Sequence, residues 1–108
     1  MQAVRYAKRH VGAPYRWGAT GPWAFDCSGL VVASYRSAGR HLPRTTWSQL
    51  RYLNGTRRRH VGDLVFAHGG RHVALYIGHG RVIAAPHGGA RVRYEPSSRY
   101  RYATRSPF

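Results

Sequence analysis

With 108 residues, 43% hydrophobic and 13% aromatic, the chain is long enough for one globular domain and too apolar for a disordered basic tail. Eighteen Lys and Arg, all but one of them Arg, stand against three acids for a formal charge of +15, which favours polyanionic neighbours such as nucleic acid, anionic lipid or acidic surface polymers. The single cysteine excludes an internal disulfide and a cysteine-rich zinc site, and no apolar run approaches the about 18 residues of a membrane span.

The basic residues run from Arg5 to Arg105, with only Arg57-Arg58-Arg59 tightly clustered. No helix-turn-helix, zinc-finger or RNA-recognition pattern accompanies them, so no specific nucleic-acid partner is expected. The N-terminus lacks the unbroken apolar stretch of a secretory leader. That fits a piece trimmed from a longer secreted protein, or delivery by another route.

Residues 3–12, AVRYAKRHVG, read as a short helix with Val4, Ala7 and Val11 on one face and Gly12 ending it. A Gly/Pro/aromatic loop, APYRWGATGPWAF, follows. Asp26-Cys27-Ser28 then opens a buried helix, CSGLVVASYRSA, which Gly39 stops as a C-cap would. In HLPRTTWSQLRYL, Thr45 or Thr46 is placed to cap a third helix running to Leu53. From residue 60 the period changes. DLVF, HVALYIG, RVIAAP and ARVRY are short β-branched or aromatic runs divided by turns such as Gly78-His79-Gly80 and His87-Gly88-Gly89. Helices first and an antiparallel meander second predict an α+β fold, with helices on one face of the sheet.

A lone cysteine is ordinarily a small buried hydrophobe, but the position of Cys27 argues otherwise. The start of a helix carries unsatisfied N–H groups and roughly half a positive charge. Both favour the thiolate, the reactive form, and the same N–H groups suit an oxyanion. Gly29 permits a close backbone approach at that point. A thiolate nucleophile needs a histidine partner. His10, His41, His60 and His79 fall in polar or loop-like settings and read as surface residues. His72 instead opens the strand HVALYIG, where alternation places it with Ala74 and Tyr76 on one face. His68 and His72 are four apart, but in a turn entering a strand and without a third ligand, so neither a metal nor another cofactor is expected. Trp17 and Trp23 are candidates for a cleft wall, and Trp47 equally for the core.

Taken in order, the segments APYRWGATGPWAFDCSGLV, AGRHLPRTTWSQL and VGDLVFAHGGRHVALYIGHGRVIAAP resemble the NlpC-type cell-wall cysteine peptidases, over roughly residues 12–95. The resemblance implies a minimal papain-like fold in one domain spanning 1–108. It also implies hydrolysis of amide bonds in peptidoglycan stem peptides, often between D-glutamate and diaminopimelate or lysine. On that basis Cys27 is the nucleophile and His72 its base. Tyr15 helps the Cys27 backbone N–H hold the oxyanion, and Asp26 and Ser28 contact the amino end of the stem peptide. A secreted or wall-associated monomer is expected, with anionic wall polymers as further partners. Phage-tail or toxin delivery would account equally for the missing leader.

One position departs from the family. The strand after the histidine strand usually carries a polar residue that hydrogen-bonds the base, and here that position is Ala84. Loss of such a group in a serine triad costs on the order of 10⁴ in rate. Three readings follow: a water, a backbone carbonyl or His87 substitutes; the site runs as a slow dyad; or the domain binds wall peptide without cutting it.

Overall fold

The computed structural model describes all of residues 1–108. Helix α1 (Gln2–Arg9) is shorter than its apolar spacing predicts. It buries Ala3, Val4 and Ala7, but the chain turns away after Arg9 and leaves Val11 outside. The Gly12 N–H goes instead to the Val92 carbonyl, 2.8 Å away. Helix α2 (Cys27–Arg36) is almost wholly buried, and Asp26 caps it by accepting from the Gly29 N–H. Gly39 follows in the left-handed region at φ 78°, as expected of a helix stop. Thr45 caps α3 (Thr46–Tyr52) in a capping box with Ser48.

Six strands follow: β1 (Asn54–Gly55), β2 (Leu64–Ala67), β3 (His72–Gly78), β4 (Arg81–Ala84), β5 (Arg93–Pro96) and β6 (Ala103–Ser106). All pairings are antiparallel, in the order β1-β6-β2-β3-β4-β5. The expected meander is therefore β2 to β5, and the C-terminal strand returns to pair beside β2. The fourth expected strand starts later than its pattern predicts. Arg91 and Val92 pair with the loop at Gly12–Pro14 and so are withheld from the sheet.

Period-2 alternation sorts the sheet into two faces. Leu64, Phe66, Val73, Leu75 and Ile83 join α1 and α2 in the main core. Val65, Ala67, Ala74, Val82 and Ala84 form a smaller apolar layer on the other face, closed by Tyr100. This architecture is the expected α+β fold, with the Cys27 helix packed on a small antiparallel sheet.

Candidate active site

Cys27 is the first residue of α2 and lines a cleft of about 560 Å³. Tyr15, Trp17, Asp26, Ser28, Arg44 and Arg71 also form its walls. The sulfur is near enough to the Val73, Ser28 and Cys27 backbone N–H groups for them to favour the thiolate, which puts the thiol by the start of β3. The sequence leads one to expect a preformed thiolate here. Burial reverses that expectation: desolvation pushes the Cys27 thiol up, and the three N–H groups only partly offset it against the repulsion of Asp26. The net effect favours the thiol over the thiolate in the free protein.

His72 is buried at the first position of β3 and shares its face with Ala74, as alternation predicts. Desolvation lowers its imidazole to about 4, with Glu95 opposing and the nearby His68 and His87 adding to the fall. Nucleophile and base candidate are thus both neutral at rest. Cys27 opens α2 and His72 opens β3, yet no hydrogen bond joins them, and His72 lines a recess beside the cleft rather than the cleft itself. Its Nε2 lies 2.9 Å from the Tyr100 hydroxyl, which in turn donates to Glu95 Oε1 at 2.5 Å.

Ala84 is fully buried and contributes only a methyl group. His87 is exposed and its Nδ1 lies by the Gly88 carbonyl at 3.0 Å, so it does not substitute. The far nitrogen of His72 meets neither a backbone carbonyl nor an apolar wall, because the Tyr100 side chain reaches it from the 3-10 turn Ser97–Arg99.

The other expected site residues are placed as follows. Tyr15 is half-buried on the cleft, joined to Phe25 by an isolated bridge. Burial, followed by the proximity of Cys27 and Asp26, raises its hydroxyl, which therefore stays a donor. Asp26 and Ser28 also flank the cleft, but their polar atoms are already engaged. Asp26 accepts from the Gly18 and Gly29 N–H groups at 2.9 and 2.6 Å and from Arg44 Nη2 at 2.9 Å. Arg44 Nη1 also reaches Ser28 Oγ at 2.8 Å. Any ligand amine at this spot meets an Asp–Ser pair already neutralised by a guanidinium. Arg44 was visible only as part of the LPR segment.

Trp17 stands exposed on the cleft rim, and Trp47 is likewise exposed, with the Arg51 guanidinium 5.6 Å from its ring, so it is not a core residue. His10 is half-buried rather than a surface residue, stacked on Tyr6 with centroids 4.1 Å apart. His41, His60 and His79 are exposed, as expected.

The NlpC/P60 family model matches residues 12–106. The chain is 48% identical over 87 residues to a "Probable endopeptidase" of Corynebacterium glutamicum, covering 76% of this chain and 41% of that protein. It is 35% identical over 111 residues to "Peptidoglycan endopeptidase RipA" of Mycobacterium tuberculosis, covering 86% and 23% respectively. It thus spans less than half the length of these curated relatives. Among solved structures, the peptidoglycan hydrolase RipB of M. tuberculosis superposes with a TM-score of 0.86 at 26% identity, over 99% of this chain and 63% of that one. The NlpC/p60 domain of the peptidoglycan hydrolase SagA gives 0.83 at 29% identity, over 97% and 96%. A match that runs through nearly the whole fold and includes the Cys27 helix and the His72 strand places this chain in the NlpC/P60 family.

Proposed function

We propose that this chain is a cysteine endopeptidase that hydrolyses amide bonds in peptidoglycan stem peptides. The observation that carries the reading is a lone cysteine at a helix start on an open cleft, with a buried histidine opening the strand packed against that helix. Cys27 Sγ attacks the amide carbon while His72 takes the thiol proton. The tetrahedral oxyanion is held by the Cys27 backbone N–H and the Tyr15 hydroxyl. The imidazolium then protonates the leaving amine, the C–N bond breaks, and water releases the acyl group from the thioester. Because both groups are neutral at rest, proton transfer accompanies C–S bond formation rather than preceding it. The bond between D-glutamate and diaminopimelate, or its lysine counterpart, is the one we assign. Asp26, Ser28 and Arg44 bound the subsite for the amino end of the stem.

Incubation with purified muropeptides, resolved by chromatography and mass spectrometry, should yield shortened stems with wild-type protein and none with Cys27→Ala. Identical product profiles from the two would sink the hydrolase reading. A wall-binding module that does not cut was motivated by an unsupported base, and the Tyr100 hydroxyl on His72 Nε2 favours catalysis instead.

The pH profile follows from the neutral imidazole. His72 acts as base only when unprotonated, and burial holds it at about 4 instead of 6.5. The acid limb of kcat/KM should therefore fall near pH 4, with activity sustained at pH 5.5, where an ordinary histidine is largely protonated. A limb near 6.5 would show that the imidazole is not desolvated. Stability moves the same way: the unfolded chain takes up this proton first, so the contribution is full above pH 6.5 and is lost as pH falls toward 4.

We further infer that acidic wall polymers attract the chain. All three acidic side chains are buried: Asp26, Asp63 and Glu95 are 5%, 4% and 7% exposed. Every exposed charged side chain is therefore basic. Binding to walls that retain their anionic polymers should weaken roughly tenfold or more between about 50 and 200 mM salt. Salt-independent sedimentation with such walls would refute the attraction.

A further inference from the structure

The sheet face turned away from α2 holds a polar chain that no motif in the sequence announces. Cross-strand register accounts for its assembly. Ala67 pairs with His72, Val65 with Ala74, Val82 with Glu95, and Ala84 with Arg93. Directly paired residues share a face, so His72, Ala84, Arg93 and Glu95 all point outward together. The 3-10 turn Ser97–Arg99 then brings Tyr100 into the apolar cluster of Val65, Ala67, Ala74, Val82 and Ala84 on that face.

We propose that Tyr100 and Glu95 form a positioning pair for His72 that replaces the polar side chain lacking at Ala84; this rests on the hydrolase reading above.

Counting protons sets the direction of each bond. Burial alone would raise the Glu95 carboxyl, but hydrogen bonds from Tyr100 and Arg93, with the charges of Arg93 and Arg99, hold it below its usual range. Arg93 Nε lies 2.8 Å from Glu95 Oε2. An ionised carboxylate only accepts, so the single Tyr100 proton goes to Glu95 Oε1. The Tyr100 oxygen is left as an acceptor, and its partner 2.9 Å away must be His72 Nε2–H. This selects one tautomer, with the proton on Nε2 and the lone pair on Nδ1. Nδ1 is then the nitrogen that receives the thiol proton. When it does, the new imidazolium has a hydroxyl and, behind it, a carboxylate to stabilise its charge.

The pair needs a small residue at 84. Tyr100 is 1% exposed and shares a closed cluster with Ala67, Ala74 and the fully buried Ala84, so a longer side chain at 84 would compete for space within it. The turn is also pinned. Arg59 donates to the carbonyls of Ser97, at 3.0 Å, and Tyr100, and the Tyr102 N–H bonds the Phe66 carbonyl at 3.0 Å. One arginine of the tight basic cluster therefore serves the site rather than the surface charge.

The test is Tyr100→Phe, which keeps the ring and removes only the hydroxyl, with Glu95→Gln beside it. Both should lower kcat on muropeptides roughly tenfold to a hundredfold with KM little changed, the range for losing a hydrogen bond to a charged group. In ¹⁵N-labelled protein the His72 ring signals should report one Nε2–H tautomer, and Tyr100→Phe should produce a tautomer mixture. Adding Ala84→His to Tyr100→Ala should restore part of the lost kcat. An active wild type with unchanged kcat and tautomer in Tyr100→Phe overturns the positioning pair and leaves the hydrolase reading standing. An inactive wild type overturns the hydrolase reading, and the tautomer comparison then decides the pair by itself.

Discussion

Cys27→Ala and His72→Ala should each reduce muropeptide hydrolysis by on the order of 10⁴-fold or more, and the double variant should lose little beyond either single one. The non-additivity is the informative part. With desolvation disfavouring both the Cys27 thiolate and the His72 imidazolium, neither group should be competent alone. Without His72 the Cys27 proton has no acceptor in a site where burial disfavours the thiolate. Without Cys27 the imidazole has no nucleophile to activate. Losses that multiplied in the double variant would mean the two residues act independently, and the nucleophile–base assignment would fail. Circular dichroism should show both variants folded, since Cys27 lines an open cleft and His72 stands at a strand end.

Gly29→Ala should lower the melting temperature by about 10 °C or more, corresponding to a loss of about 2–3 kcal/mol. In an ordinary helix interior the same change gains up to about 1 kcal/mol. Here a Cβ on Gly29 would stand 2.0 Å from the Ala19 carbonyl oxygen and 2.8 Å from Asp26 Oδ1. The first of these is backbone, held in place by accepting the Asp26 N–H at 2.9 Å. Relief requires moving either the loop bearing Tyr15 and Trp17 or the start of α2, so activity should fall with stability. Gly88→Ala is the control: nothing lies within 4 Å of its Cβ and its φ is not positive, so its melting temperature should hardly move. An unchanged or raised value for Gly29→Ala would show that the close approach is absent.

The parts of the fold legible in the sequence are those with local causes. Asp26 before an apolar run and Gly39 after it bound α2, because capping and left-handed glycine are short-range effects. Thr45 marked α3 for the same reason. The β-branched and aromatic run HVALYIG, bounded by glycine turns, marked β3, and period-2 alternation along it indicated the face of His72. The ends of α1 and β5 were misjudged together, since the loop at Gly12–Pro14 and the segment Arg91–Val92 satisfy each other's backbone groups. Strands β1 and β6 are short and mostly polar, and only pairing with each other and with β2 makes them strands.

The same division runs through the candidate site. By itself the sequence offered the nucleophile and base candidates, each a residue type at a helix or strand start, and their family through an ordered run of motifs that resembles it. The tertiary structure decided how those groups are charged and supported. Desolvation, which no local pattern encodes, disfavours the charged forms of both Cys27 and His72. Ala84 looked like a missing part because only its own strand was in view. The side chain that reaches His72 comes from Tyr100, 28 residues along the chain, and only sheet register and a returning turn could bring it there.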